Sequence, residues 1–548
     1  MRRTVRKPRH RIPLWHGVRD VTRFSLIPVR FGLQLLCALP AGAIGVLAFA
    51  PLQLWPVALL SLFFLFALWQ RASTAWRAFA IGFTWGLGLF VAGVPWIFVS
   101  LHFYGSMPAM LAAVATLLFC CYLSLFPALA GVLLKRLIVV FGVSAVAALL
   151  LVIPACFVIF EYVRGWFFSG FPWLVVGYSQ TPGGPLLSPL QGYAPILGVF
   201  GISWVMAMTA GLLVLLVSGV SGLNWSRRGR VAALAALAVV WGMGAALHRI
   251  PWGSDSGAPF PVALLQGNIE QSLKWREDQR DATLESYREL FEKSIARLIV
   301  LPETAMPFAL RDAPAAYLAS VKRRAEANDG DAIVGIAIIE RGPSQSDPYS
   351  VTNSAITLGR SPQQRYDKQH LVVFGEFIPP FLGWVYKWLQ IPLGSMAEGR
   401  SDQKPLRIAG HAIAVNICYE DAFGAEIVRQ LPEAELLVNM SNMAWFGKYL
   451  ASDQQTQFSQ MRSLETARWI LRSTNTGVTA AINEKGKIVK ALPQFTRGVL
   501  DVEVQARTGV TPYIIWNDWM ILQLLLAALV GGCLLKTRRS PVGGVSGR

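Results

Sequence analysis

Three residues in the second half of the chain lie beside apolar runs and have side chains that together could carry out acyl transfer. Glu303 follows the run "LIVLP", Lys368 precedes "LVVF", and Cys418 ends the run "AIAVNI". A thiolate attacks a carbonyl carbon, a nearby carboxylate can take the thiol proton, and an ammonium group can stabilise the oxyanion that forms. The three side-chain types therefore suit hydrolysis or transfer at a carbonyl group.

Each of these residues also has a less specific explanation when it is taken alone. A glutamate or a lysine next to a strand is usually a solvated loop residue, and a lone cysteine at a strand end is more often a packed side chain. Cys418 is the only cysteine between Cys156 and Cys533, so the polar part of the chain offers it no disulfide partner. Only the combination of the three residues indicates an enzyme.

The segments around these residues predict an α/β domain over 258–505. Amphipathic stretches predict helices near 276–296, 313–328, 422–430 and 454–472. Because several of the strands are apolar throughout, we expect helices to cover the sheet. Ligands bind beyond the carboxyl ends of strands in open α/β sheets, which favours a site near Glu303 and Cys418. The predicted strands are "PVALLQGN", "RLIVLPET", "DAIVGIAIIE", "TNSAITLG", "HAIAVNICYE", "ELLVNMSN" and "TGVTAAIN".

Composition and motifs exclude several functional classes. The chain has neither a dinucleotide or phosphate-binding glycine motif nor a G-x-S-x-G elbow. His370 and His411 lack the spacing of metal ligands, so we expect no metal and no other cofactor. The net charge is +18, but much of the surplus flanks apolar spans. We therefore expect no nucleic-acid partner.

The first half of the chain predicts a membrane domain. Only 15% of the residues are charged, against about 25% in a soluble protein. Stretches of about 20 apolar residues predict membrane-spanning helices. Eight such spans fall near 31–49, 53–70, 78–100, 108–134, 137–162, 193–221, 231–248 and 514–535. The predicted order is a basic leader over 1–30, a seven-helix membrane domain over 31–250, the catalytic domain over 258–505, a last span over 514–535, and a tail over 536–548.

The distribution of positive charge predicts the orientation of these spans. Lysine and arginine residues lie between spans two and three, four and five, and six and seven, and again after the eighth, whereas the alternate connections are nearly free of them. Positive loops stay in the cytoplasm. Both termini should therefore be cytoplasmic, and the 258–505 domain should lie on the periplasmic side of a bacterial inner membrane.

The motifs "LPETAMP", "YDKQHLVVFGEFIP" and "NICYED", in this order, resemble the carbon–nitrogen hydrolase (nitrilase) superfamily with its Glu–Lys–Cys triad. The chain resembles the apolipoprotein N-acyltransferase family more closely still, through "LLQGNIEQSLKW", the stretch beginning "SNMAWFGKYLASDQQ", and the order of spans and domain. This resemblance covers essentially the whole chain beyond the basic leader. Met443 and Val373 stand where that family often has aspartate and proline.

The resemblance implies an extracytoplasmic nitrilase-like αββα sandwich domain and a role for each matching residue. Glu303 would be the general base, Lys368 the oxyanion-stabilising cation and Cys418 the nucleophile, with Glu376 supporting them. The Tyr419 backbone N–H would be a second oxyanion donor. The other implied supporting or substrate-binding residues are Trp275, Asn353, Glu420, Trp445 and Phe446, the last two in a mobile arm near the lipid entrance.

The resemblance also implies a reaction. A membrane phospholipid would donate an acyl chain to Cys418, and the N-terminal amine of a diacylglyceryl apolipoprotein would accept it, as the last step of lipoprotein maturation by a monomeric enzyme. A membrane-anchored amidase that uses water, a related acyltransferase with another acceptor, and a transporter or scaffold are alternatives. Transporters usually have ionisable residues within their spans, whereas here nearly all lie in the breaks, and Glu161, near the end of a span, is the exception. The aromatic segment 165–189 fits an interfacial anchor or a lipid entrance.

Overall fold

The computed structural model describes residues 30–218, 227–342, 349–377 and 396–536. The predicted basic leader up to residue 29 and the tail beyond Lys536 lie outside the described residues. Two parts follow one another along the chain: a helical region to residue 247, and an α/β region that ends shortly before a last apolar helix.

The helical region is built from long apolar helices. Six helical segments, counted with their adjoining turns, are long and apolar enough to cross a membrane within the described residues, and α2 and the last helix are apolar but shorter. The total of eight spans therefore stays a prediction. The helices are α1 (Phe31–Ile44), α2 (Trp55–Arg71), α3 (Ala75–Gly93), α4 (Ala109–Phe141), α5 (Ile153–Arg164), α6 (Ala194–Ser218) and α7 (Arg227–Leu247).

Helix α4 differs from the sequence prediction at its end. The sequence predicts a break at Lys135 and Arg136, but α4 continues through both residues to Phe141. The helix ends there because Gly142 adopts the left-handed conformation, with φ 63° and ψ 40°, that commonly terminates helices. The positive charges therefore lie within the last turns of the helix, near the interface, rather than in a loop.

The described residues of the α/β region form two six-stranded sheets and one two-stranded pair. The first has the order β13-β2-β3-β4-β5-β6 and the second the order β12-β11-β10-β9-β8-β7, while β1 pairs only with β14. Strands β2, β3 and β4 are parallel to one another, as are β8, β9 and β10. The bounds in the first sheet are β2 (Phe260–Gln266), β3 (Leu298–Val300), β4 (Asp331–Arg341), β5 (Tyr349–Gly359), β6 (Arg365–Asp367) and β13 (Gly498–Val504). Those in the second are β7 (Leu406–Ile408), β8 (His411–Ile417), β9 (Leu436–Ser441), β10 (Ile470–Thr474), β11 (Thr479–Ile482) and β12 (Ile488–Leu492), and the two-stranded pair is β1 (Ser254–Asp255) with β14 (Arg507–Thr508).

The two sheets pack face to face, and helices cover their outer faces. Alternate residues of β8, namely Ile413, Val415 and Ile417, join one core with Val262 and Val300 of the other sheet. The outer face of the first sheet packs on α8 (Arg280–Glu292) and α9 (Ala315–Ala327). The second sheet is covered by α10 (Ala451–Thr466), and α11 (Trp519–Leu534) follows the domain. The four layers form an αββα sandwich.

The predicted helix over 454–472 is wrong at its carboxyl end. Helix α10 ends at Thr466, Ala467 adopts φ 52°, and Ile470–Thr474 form β10 at the centre of the second sheet. The apolar residues of "ARWILRST" continue the helical spacing, so the sequence gives no clear sign of the change. The predicted set also lacks β1, β6, β7, β12, β13 and β14.

Helix α10 is polar in sequence and yet buried. Every one of its residues except Asp453 is buried. Gln454 donates to the Gly93 carbonyl at 3.0 Å, at the end of α3. Gln457 accepts from the Ala50 N–H at 2.9 Å and donates to the Tyr178 carbonyl at 3.1 Å. The side chains of α10 thus satisfy backbone groups of the helical region, and this ties the two parts of the molecule together.

Helix α6 provides another such contact at a break in its hydrogen bonding. Gly198 has φ 65° and ψ −171°, so the helix is kinked there and the N–H of Val199 is released from the helical pattern. The carboxylate of Glu465 in α10 accepts that N–H at 2.9 Å and also accepts from Arg462 at 3.0 Å. A Cβ at Gly198 would lie 2.4 Å from the Tyr513 ring.

The substitution Gly198→Ala should therefore destabilise the protein. The positive φ alone costs an alanine about 1–3 kcal/mol, and the clash with Tyr513 adds to this cost. The apparent midpoint of thermal unfolding in detergent should fall. Gly242→Ala in α7 is the matched control, because a Cβ at Gly242 would have no heavy atom within 4 Å beyond its own helix. Equal midpoints for the two variants would contradict the importance of the kink.

Candidate active site

Glu303 lies just beyond β3 and is held by two hydrogen bonds. Its Oε1 accepts from Asn353 Nδ2 at 2.7 Å, and its Oε2 accepts from the backbone N–H of Asn442 at 2.8 Å. The side chain is buried. Asn353 comes from β5, whose antiparallel pairing with β4 brings it beside the end of β3. The carboxylate therefore has a fixed orientation.

Lys368 follows β6 and is almost completely buried. Its Nζ donates to Glu376 Oε1 at 2.8 Å and lies 3.6 Å from Glu303 Oε1. Burial alone would lower the pKa of Lys368, but the carboxylates of Glu376 and Glu303 outweigh this effect and raise the pKa above its ordinary value. Glu376 is itself fixed, because its Oε2 accepts from the Val372 N–H at 2.9 Å. The ammonium group thus stays charged between two carboxylates.

Cys418 follows β8 at a sharp turn. Its φ is 56°, which is unusual for a residue with a side chain, and a 3₁₀ helix over Cys418–Ala422 starts there. Burial raises the pKa of the Cys418 thiol, Glu303 raises it further, and Lys368 acts in the opposite direction. Burial and Glu303 therefore favour the neutral thiol over the thiolate, and a base that takes the proton would assist formation of the thiolate.

Tyr419 and Glu420 connect the Cys418 turn to its surroundings. The Tyr419 hydroxyl donates to the Gly170 carbonyl, and its ring stacks on Trp173 at 5.6 Å. Glu420 accepts from the N–H groups of Ile417 and Gln369 at 2.5 and 2.6 Å. Burial raises the pKa of Glu420 to about 7, although the backbone donors favour its charged form. Tyr419 thus contacts segment 165–189 of the helical region, and Glu420 links the turn to the loop that follows Lys368.

The predicted arm forms a 3₁₀ helix over Met443–Phe446. Its Phe446 ring contacts the ring of Trp96 in the helical region, with centroids 4.9 Å apart, and the Trp445 ring lies 6.4 Å from that of Tyr104. Asn442, which precedes the arm, is the residue whose N–H binds Glu303. The arm therefore joins the carboxylate to the membrane helices.

Lys274 is a second buried lysine in the site, and it was not among the residues predicted from the sequence. The motif "LLQGNIEQSLKW" drew attention to Trp275, which is 49% exposed, while Lys274 is 3% exposed. Its Nζ donates to the Glu303 carbonyl at 3.3 Å and to Thr304 Oγ1 at 2.5 Å. Burial lowers the pKa of Lys274 to about 8, and the charges of Glu303 and Cys418 partly offset this effect. The position of Lys274 next to Trp275 in the motif "LLQGNIEQSLKW" was the one feature of the sequence that could have indicated it.

Comparison with known proteins bears on what this arrangement does. Residues 41–212 match the family Apolipoprotein N-acyltransferase N-terminal domain, and residues 261–513 match the carbon–nitrogen hydrolase family. The apolipoprotein N-acyltransferase of Nitrosomonas europaea is 43% identical over 91% of this chain and 97% of its own length. That of Methylococcus capsulatus is 42% identical over 92% and 97%. That of Chromobacterium violaceum is 40% identical over 92% and 95%.

The chain belongs to the apolipoprotein N-acyltransferase family. Membership confirms the prediction of an acyltransferase with a carbon–nitrogen hydrolase domain, and it agrees with the apolar helices of a membrane protein. Members of the apolipoprotein N-acyltransferase family match the chain from its helical region through its α/β domain, so the two parts belong to one enzyme.

If Cys418 carries the acyl group, as the sequence predicts, the position of Lys274 makes the rate of its acylation depend on pH. Raising the pH through the Lys274 pKa of about 8 removes a positive charge from beside the thiol, which disfavours the thiolate. Acylation should therefore slow on the alkaline side of pH 8. Lys368 cannot cause this loss, because its pKa is raised and it stays protonated. The measurement is the rate of Cys418 acylation by a fluorescent phospholipid in detergent between about pH 6 and 10.

Variants at the same position test this assignment. In Lys274→Arg the guanidinium stays charged to above about pH 12, so the alkaline loss should move to higher pH. In Lys274→Met the rate should be lower throughout, without a step near pH 8. An alkaline loss at the same pH in the wild type and both variants would assign it to another group.

Proposed function

We propose that this chain transfers an acyl group from a membrane phospholipid to the N-terminal amine of the diacylglyceryl-cysteine of apolipoproteins, through a thioester on Cys418. The observation that carries the proposal is a partly buried thiol beside the charged side chains of Glu303 and Lys368, in a domain packed against apolar helices. A thioester at a membrane is a suitable carrier for a fatty acyl chain.

In the first step, Glu303 takes the proton of the Cys418 thiol while the sulfur attacks the ester carbonyl of the phospholipid. Lys368 and the Tyr419 N–H stabilise the oxyanion of the tetrahedral intermediate. When the intermediate collapses, the ester C–O bond breaks and the proton on Glu303 passes to the departing alkoxide. A lysophospholipid leaves, and the acyl chain stays on sulfur. Glu376 and Asn353 hold the lysine and the base in place.

In the second step, the neutral α-amine of the acceptor attacks the thioester carbonyl. A C–N bond forms, Glu303 takes a proton from nitrogen, and the C–S bond breaks. The Cys418 thiolate regains the proton from Glu303. The products are an amide and the free enzyme, so protons and electrons balance over the cycle without a cofactor.

Aminolysis requires that water be kept from the thioester. The arm, Met443–Phe446, is suited to this because its Phe446 packs on Trp96 and its preceding residue binds Glu303. We propose that the arm closes the site against the helical region and that Trp445 and Trp275, which are partly exposed, contact substrate at its edge.

The proposed substrates also set the expected topology. We propose eight membrane spans and a periplasmic α/β domain in a bacterial inner membrane, with the chain acting as a monomer. The alternation of positive charge between spans supports this orientation. The extensive contacts between α10 and the helical region support a domain held at the membrane surface.

The first step predicts a covalent intermediate. Purified protein in detergent, incubated with a phospholipid labelled in both acyl chains, should acquire a hydroxylamine-sensitive label on Cys418. Cys418→Ala should acquire none, and Glu303→Gln should be labelled about 10²–10⁴-fold more slowly because it lacks the base. The absence of label on the wild-type protein would contradict the proposal.

The second step predicts discharge to an amine. A diacylglyceryl peptide with a free N-terminal amine should remove the label from Cys418 and become N-acylated, as read by mass spectrometry. The same peptide with an acetylated N-terminus is the control and should leave the label in place. Release of free fatty acid at the same rate with both peptides would instead indicate a hydrolase.

The role of the arm predicts a change in product. Phe446→Ala should loosen the contact with Trp96 and raise the proportion of free fatty acid relative to amide, because water reaches the thioester. Phe64→Ala, which removes an exposed ring from α2, is the control and should leave the proportion unchanged. An unchanged proportion in Phe446→Ala would show that this contact does not exclude water.

A further inference from the structure

The carbonyl group of Cys418 is held by two side-chain amides from separate elements. Asn439 Nδ2, from β9, donates to this oxygen at 3.0 Å, and Gln455 Nε2, from α10, donates to it at 2.8 Å. Both side chains are buried. Asn439 faces outward from the second sheet, towards α10, because its neighbours Val438 and Met440 face the core between the sheets. The two amides therefore converge on one backbone oxygen from the layer between sheet and helix.

A buried ion pair determines which end of each amide faces the carbonyl. Arg472 Nη1 donates to Asp421 Oδ2 at 2.8 Å and to Asn439 Oδ1 at 2.9 Å. Because an arginine can only donate, it requires the oxygen of Asn439, which leaves the amide nitrogen for Cys418. The Asp421 carboxylate can only accept, and its Oδ1 accepts from Gln455 Nε2 at 3.1 Å. The ion pair thus directs both nitrogens towards the Cys418 carbonyl.

The peptide group that these amides hold also contains the Tyr419 N–H. In a trans peptide the C=O and the following N–H point in opposite directions, so fixing one fixes the other. The positive φ of Cys418 is strained and costs about 1–3 kcal/mol, so this peptide group needs outside contacts to hold its orientation. The two amide donors on the Cys418 carbonyl provide these contacts. They also polarise the Tyr419 N–H on the opposite side of the peptide group.

We propose that Gln455 and Asn439, oriented by the Arg472–Asp421 ion pair, are positioning residues that aim the Tyr419 N–H at the oxyanion. This inference rests on the proposed function, which assigns that N–H to the oxyanion. It adds a reason for the polar character of α10: the same helix that binds the Gly93 carbonyl through Gln454 holds the nucleophile's peptide group through Gln455. The orientation of the Tyr419 N–H is therefore fixed by a helix that is itself bound to the helical region.

The test compares two reactions of the same thiol. Acylation by p-nitrophenyl octanoate passes through a tetrahedral oxyanion, whereas alkylation by iodoacetamide displaces iodide at a saturated carbon and forms none. Gln455→Met removes the amide donor at nearly constant size. It should slow acylation at least about 10-fold, since loss of an oxyanion donor itself costs about 10²–10³-fold, while alkylation changes less than about 3-fold. Asn439→Asp should act in the same direction.

Gln457→Met is the matched control, because Gln457 is a buried glutamine of the same helix whose partners are Ala50, Tyr178 and Thr181. It should leave the ratio of acylation to alkylation unchanged. Equal slowing of both reactions in Gln455→Met would show a merely structural role and overturn the proposal, as would no slowing of acylation in either variant.

The same reactions of the wild-type protein distinguish a failure of this proposal from a failure of the proposed function. Acylation by the p-nitrophenyl ester without thioester formation from phospholipid would overturn the phospholipid donor and leave the ratio test of Gln455 and Asn439 intact. Alkylation without acylation by either donor would overturn both.

Discussion

The burial of α10, a helix rich in glutamine, serine and threonine, is the constraint on which the rest of the structure depends. A buried polar group left without a hydrogen bond costs about 1–3 kcal/mol, so each of these side chains needs a partner. For Gln454, Gln457 and Glu465 the partners include backbone groups at irregular points of the helical region: the Gly93 carbonyl at the end of α3, the Ala50 N–H before α2, and the Val199 N–H at the kink of α6. Irregular backbone at membrane depth is itself tolerated only where protein satisfies it. The helical region and the α/β domain therefore complete each other, and neither set of polar groups is satisfied alone.

These shared contacts fix the position of Cys418 relative to the helical region. The same helix reaches Cys418 through Gln455 and the membrane helices through Gln454, one residue earlier. The Tyr419 side chain extends in the opposite sense, from the nucleophile turn to Gly170 and Trp173 of the helical region. A soluble carbon–nitrogen hydrolase would need no such contacts. In the proposed reaction, whose acyl donor lies in the bilayer, these contacts would keep the sulfur at a constant position relative to the membrane helices.

The sequence indicated the candidate residues of the site more clearly than the residues that hold them in place. Glu303, Lys368 and Cys418 follow or precede apolar strands in motifs of distinct composition, and the structure brings the three side chains together. The burial of α10 was not predictable from its residues, because a polar sequence normally indicates a solvated helix and only tertiary contacts reverse this. Strand β10 was missed because Ile470 and Leu471 continue a helical spacing. Lys274 was missed because the exposed Trp275 beside it is the more conspicuous residue, and burial of a lysine leaves no local pattern.

The charged side chains around Cys418 can be buried together because their charges offset one another. Glu303 and Glu376 contribute two carboxylates, and Lys368 and Lys274 two ammonium groups, so the site is balanced while the thiol is neutral. Burying a balanced cluster is far less costly than burying an excess charge. Deprotonating the thiol without a base would upset the balance, and burial opposes it further. In the proposed mechanism, transfer of the proton to Glu303 creates the thiolate without changing the net charge of this group of side chains, so the nucleophile forms at the moment of attack. Lys274 contributes to this balance, because it places a second ammonium group beside the two carboxylates.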